Sequence, residues 1–108
     1  MKHRLLRRVE VSGDSMGPGL QAGDRLLVVP VRRLRAGDIV AVADPRQPGR
    51  TMVKRVAIVT PDEVTVLGDA PDASTDSRTF GPVPRSLVQG RAVYRYWPEH
   101  RRGRILRA

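Results

Sequence analysis

No part of this chain keeps the apolar period of an amphipathic helix; its Leu, Ile and Val gather instead in short runs bounded by glycine, proline and aspartate. Helices therefore cannot supply the core. Arg25 to Val31 follows a turn at Gly23-Asp24, and Ile39 to Ala43 follows Ala36-Gly37-Asp38. Thr51 to Thr60 follows the proline-rich loop from Asp44 to Gly49, Glu63 to Leu67 follows Pro61-Asp62, and Arg91 to Trp97 closes the series. Each reads as a strand, with a shorter alternation at Val9-Glu10-Val11 ahead of them. Ala-Gly-Asp before an apolar strand occurs at 22 and again at 36, turn chemistry used twice rather than a repeat architecture. Gly68 to Pro84 is polar, turn-rich and long enough to call for a function, and Pro84 to Val88 has room for one helical turn. The predicted architecture is all-β, a small barrel or sandwich of short antiparallel strands.

A chain of 108 residues fits one domain. We expect a basic N-terminal tail over 1–8, a domain over 9–98 and a basic C-terminal tail over 99–108. Twenty Lys and Arg against 11 Asp and Glu give a formal charge of +9, which favours anionic partners but does not dictate a fold. The absence of cysteine excludes disulfides, thiolate metal sites and thiol catalysis. His3 and His100 stand near opposite ends and read as solvated residues, with no metal-ligand spacing, and no cofactor is expected. No apolar run approaches the about 20 residues that span a bilayer. The expectation is a cytoplasmic protein, with peripheral contact to an anionic membrane allowed by charge.

The stretch Ser12-Gly13-Asp14-Ser15-Met16-Gly17-Pro18-Gly19-Leu20 sets a serine among glycines and a proline, where the backbone turns tightly and the hydroxyl is exposed. A serine nucleophile needs a base. Strand alternation from Met52 puts Met52, Lys54, Val56 and Ile58 on one face and Val53, Arg55, Ala57 and Val59 on the other. Lys54 thus shares its face with apolar side chains only. A free lysine titrates near about 10.4, and burial brings it toward about 7 to 8, where it accepts a proton. The alternative is a lysine that reaches from a strand edge into water.

Three segments together resemble the S26 family, the signal peptidase-like Ser/Lys peptidases. Ser12 to Leu20 is similar to the family's Ser-Gly-x-Ser-Met-x-Pro-Thr-Leu box, and Met52-Val53-Lys54-Arg55-Val56 resembles its general-base strand. Gly68-Asp69-Ala70-Pro71-Asp72-Ala73-Ser74-Thr75-Asp76-Ser77-Arg78, ending in Phe80-Gly81-Pro82-Val83, resembles its third box. The resemblance implies Ser15 as nucleophile, Lys54 as base, Ser74 orienting the lysine, and Asp76 with Arg78 holding the loop by an ion pair. It also implies the small β-barrel of short, coiled antiparallel strands common to signal peptidases and self-cleaving repressors. Gly13 and Met16 flank the serine as candidate substrate contacts, with packing the other role open to Met16. Gly19 and Ala70 depart from the pattern, where threonine and asparagine are usual.

Within the family, the short chain and its Tyr94-Arg95-Tyr96-Trp97-Pro98 ending look most like the maturation proteases of nickel-type superoxide dismutase. That likeness implies a precursor protein as partner and removal of its N-terminal leader. Two other readings compete. A nucleic-acid-binding barrel fits the charge but leaves the order of the three boxes unexplained. A self-cleaving repressor fragment has small-residue bonds at Ala22-Gly23 and Ala36-Gly37 to cut, but too few residues before Ser15 for a DNA-reading helical module.

Overall fold

The computed structural model describes residues 6–107. Its strands are β1 (Arg7–Glu10), β2 (Arg25–Val29), β3 (Ile39–Ala43), β4 (Thr51–Val59), β5 (Glu63–Leu67), β6 (Val83–Pro84), β7 (Val88–Trp97) and β8 (Gly103–Arg104). They form one antiparallel sheet in the order β1-β2-β7-β3-β4-β5-β6, with β8 paired to β7. The sheet curls into a half-barrel. Helix among the described residues is limited to α1 (Ser77–Phe80) and single 3₁₀ turns at Pro71–Ala73, Arg85–Leu87 and Glu99–Arg101. The all-β expectation holds.

The core lies on both faces of the curled sheet. Ile39 and Ala41 of β3 join Val11, Met16, Leu20, Leu26, Val28, Val53 and Ala92. Val40 and Val42, pointing the other way, join Leu34, Met52, Val56, Val64, Val66 and Val83. A strand that is apolar at every position is what burial on both faces requires, and each fully buried Val adds roughly 1.5–3 kcal/mol. β7 holds the centre by pairing with β2 through 91–97 and with β3 through 88–91. Gly90 lies where they cross, and a Cβ there would meet the Val29 carbonyl oxygen at 2.4 Å.

In β4 the alternation holds only as far as Val56. Val56 pairs with Val66 and Ile58 with Thr65, so Ala57 is an extra residue that reverses the facing of everything after it. Ile58, expected beside Lys54, is 59% exposed, while Val59 packs toward the core.

Both expected tails need correction. Residues 1–5, with His3, lie outside the described residues, and Arg7 and Arg8 already belong to β1. The C-terminal segment is built into the sheet: β8 pairs with Tyr94 and Arg95, and Ile105 N–H donates to the Val93 carbonyl at 3.0 Å. Its arginines reach the two Ala-Gly-Asp turns. Asp24 and Asp38 are each 1% exposed, and each accepts the backbone N–H three residues earlier at 2.9 Å. Arg95 and Arg101 then pair with Asp24, and Arg107 with Asp38. A buried carboxylate needs such partners; in the sequence the repeated motif marked these aspartates as turn residues only.

Candidate active site

The serine loop is tied where it leaves and rejoins the sheet: Val11 N–H donates to the Asp24 carbonyl and Gly23 N–H to the Val11 carbonyl, both at 2.8 Å. Gly13 takes a φ of +77°, a conformation that glycine adopts without strain. Gly17 N–H donates to the Asp14 carbonyl at 3.0 Å and Leu20 N–H to the Met16 carbonyl at 3.1 Å, giving the turn that displays Ser15. Met16 is 1% exposed and packs among Val11, Leu20 and Leu26. Of the two roles open to it, packing is the one its burial displays: it anchors the loop that carries its neighbour. Gly13, Ser15 and Lys54 line one polar cavity of about 120 Å³, with Arg46, Arg50 and Thr75 at its walls. Among the described residues no hydrogen bond joins the Ser15 hydroxyl to Lys54, whose Nζ is held by Ser74 instead.

Lys54 is 5% exposed and pairs across the sheet with Val40, which sets it on the face of the second core cluster. Burial pushes its ammonium below the ordinary value of 10.5; Asp76 opposes this, Arg50 and Arg78 add to it, and Asp44 again opposes. Asp44 is 2% exposed and gathers Arg46 and Arg50 at 3.1 and 3.5 Å. Burial would raise that carboxyl, but the hydrogen bonds from Arg46 and the two cationic charges hold it below the usual carboxylate value. None of Asp44, Arg46 or Arg50 stood out in the sequence, where they form part of a proline-rich loop.

The loop from Gly68 to Arg78 is organised by Asp76, which is fully buried. It accepts from Gly68 N–H at 2.8 Å, from the Ser74 hydroxyl at 2.6 Å, and from the N–H and Nε of Arg78, each at 3.0 Å. As the N-cap of α1 it also fixes where that turn begins. Arg78 is the largest cause holding its carboxyl far below the usual range, against burial, with the Gly68, Ser74 and Arg78 N–H or hydroxyl donors adding to it. Ser74 Oγ in turn accepts from Lys54 Nζ at 3.1 Å. The structure thus brings Lys54, Ser74, Asp76 and Arg78 into one chain of contacts.

Two backbone contacts join this loop to the serine. Ala70 N–H donates to the Ser15 carbonyl at 2.8 Å, a bond indifferent to the side chain at 70. Gly68 is wedged between the parts: a Cβ there would lie 2.2 Å from Ser74 Oγ and 2.7 Å from the Ser15 carbonyl oxygen. Asp69 is taken up by Arg55 through two 2.8 Å hydrogen bonds, and Arg55 also donates to the Gly37 carbonyl at 2.8 Å.

The pattern of the family described as signal peptidase, peptidase S26, matches residues 1–66 and 57–97. The chain belongs to this family. It is a serine-type peptidase with signal peptidase-like activity. The mitochondrial ATP-independent inner membrane protease subunit 1a of Arabidopsis thaliana is 34% identical over 121 residues, covering 87% of this chain and 72% of the relative. The mitochondrial inner membrane protease subunit 1 of Xenopus tropicalis is 33% identical over 111 residues, covering 81% and 66%. Subunit 2 from Danio rerio is 34% identical over 128 residues, covering 94% and 70%.

These relatives overturn the cytoplasmic expectation, because they are proteases of an inner membrane. No helix among the described residues is long and apolar enough to cross a membrane. The relatives lend no support to the nickel-dismutase likeness.

Proposed function

We propose that Ser15 and Lys54 form a Ser/Lys dyad that removes N-terminal leaders from precursor proteins presented at a membrane. The observation that carries it is Lys54: buried, lowered in basicity and fixed by Ser74 in the cavity that Ser15 lines. Neutral Lys54 takes the Ser15 proton as Oγ attacks the scissile carbonyl, forming a C–O bond. The ammonium returns that proton to the departing amine as the C–N bond breaks, leaving an acyl-enzyme. Water then attacks the ester with Lys54 again as base, releasing the leader's new carboxylate and restoring Ser15. Among the described residues the Ser15 N–H has no partner within the protein, which leaves it available to the oxyanion. Gly13 borders the cavity where an extended substrate would lie.

The membrane setting rests on the relatives' names and on the chain's +9 charge, which suits an anionic surface. The precursor of nickel-type superoxide dismutase is a narrower reading, resting only on the sequence likeness. The nucleic-acid reading loses ground because Arg46, Arg55, Arg78, Arg95, Arg101 and Arg107 are engaged by carboxylates. The test is cleavage of leader-bearing precursors, with the dismutase precursor as a separate substrate, read by intact mass. Wild type should release the leader, while folded Ser15→Ala and Lys54→Met should not. Leader release by Ser15→Ala would overturn the dyad.

A further inference from the structure

After Ser15 the loop runs Met16-Gly17-Pro18-Gly19, and Gly19 has no side chain with which to hold its place. Its carbonyl is held instead by donors from the far end of the chain. Arg95 Nη1 donates to it at 2.9 Å and Arg101 Nη2 at 3.1 Å. Both guanidiniums are anchored on buried Asp24, Arg95 Nη1 to Oδ2 at 3.2 Å and Arg101 Nη1 to Oδ1 at 3.1 Å. Arg95 Nε also donates to the Arg101 carbonyl, which locks the pair together. Asp24 stands at the loop's exit, its backbone carbonyl taking the Val11 N–H and its side chain the Gln21 N–H.

A plain ion pair would explain the grip on Asp24 but not the second grip on Gly19. Arg101 spans the two with separate arms of one planar fork, a geometry that lysine cannot reproduce. The carbonyl it holds is four residues beyond Ser15, at the end of the turn that displays the hydroxyl.

We propose that Arg101, together with Arg95, is a positioning residue of the peptidase, holding Ser15 in line with Lys54 through the Gly19 carbonyl. The turn Glu99–Arg101 is then part of the active-site scaffold. The inference rests on Ser15 as the nucleophile.

The experiment compares Arg101→Ala, Arg101→Lys and the double variant Gly19→Ala/Arg101→Ala with wild type. Each is assayed on a precursor that wild type cleaves, and amide hydrogen exchange is followed at Gly17 and Leu20. Arg101→Ala should lower kcat about tenfold to hundredfold with KM nearly unchanged. Exchange should quicken at Gly17 and Leu20 but not at Val40 and Val42 in β3. Arg101→Lys should fall between and keep the fold. Gly19→Ala should recover part of the kcat lost with Arg101, because alanine narrows the loop's freedom and its Cβ meets nothing closer than the Met16 carbonyl oxygen at 3.9 Å. Wild-type kcat in Arg101→Ala, equal quickening in β3, or no recovery in the double variant would each overturn the proposal. If wild type shows no Ser15-dependent cleavage, the dyad reading fails instead, and exchange at Gly17 and Leu20 still decides whether Arg101 holds the loop.

Discussion

Lys54 Nζ donates to Ser74 Oγ at 3.1 Å, and that hydroxyl donates onward to Asp76 at 2.6 Å, so the buried lysine is aimed by a group that is itself fixed. Ser74→Ala removes the aim and leaves the Asp76–Arg78 pair in place. We expect kcat to fall about tenfold to hundredfold, the range for a catalytic group displaced from its line of attack, with KM close to wild type. Wild-type kcat in this variant would separate Ser74 from the reaction.

The rate should rise with pH through the titration of Lys54, because only the neutral amine accepts the serine proton. That limb lies below 10.5, since burial lowers the lysine. Arg50 adds to the lowering, so Arg50→Gln should move the limb to higher pH. Profiles of kcat/KM for the two proteins decide this, and an unmoved or lower limb would exclude the electrostatic effect of Arg50.

Lys54 should also weaken the fold that it serves. Its folded value is depressed, so between that value and 10.5 the unfolded chain binds the proton that the folded chain has given up. Stability from this group therefore grows as pH rises through that window and is smallest below it. Lys54→Met fills the same space without the charge and should raise stability by on the order of 1 kcal/mol while abolishing cleavage. Thermal melts at neutral pH compare the two, and a lower melting temperature for Lys54→Met would contradict the desolvation argument.

The strands were legible because each apolar run had its own turn signal, and β3 and β5 fall where the runs predicted them. The bulge at Ala57 was not, because an extra residue in one strand is defined only against the partner's register. Lys54 and Ser74 are near in space but 20 residues apart in sequence, and it was the family likeness that paired them. For Met16 the sequence left substrate contact and packing both open, because a residue beside a half-buried serine need not share its exposure; Met16 itself is 1% exposed. Arg101 and Arg107 read as a basic tail because charge alone does not say that a carboxylate is waiting. The waiting groups, Asp24 and Asp38, were visible as turn residues but not as buried ones.

Gly68 is the residue on which the two loops and the lysine strand converge. A Cβ there would stand 2.2 Å from Ser74 Oγ, 2.6 Å from Ser74 Cβ and 2.7 Å from the Ser15 carbonyl oxygen. None of these can yield alone, since Ser74 is held by Asp76 and Lys54, and the Ser15 carbonyl by Ala70 N–H. Gly68→Ala must therefore push the serine loop away from the Ser74 loop. Overpacking of this kind costs about 1–3 kcal/mol, so the protein should still fold with a lower melting temperature. Its kcat should fall by about a hundredfold, because the displacement shifts the backbone of Ser15 relative to Ser74, the residue that holds the base. The neighbouring Asp69→Asn, which leaves the Gly68 backbone free of any added atom, serves as the control and should keep most of its activity. Equal losses in the two variants would assign the effect to the Arg55–Asp69 pair rather than to the space at Gly68.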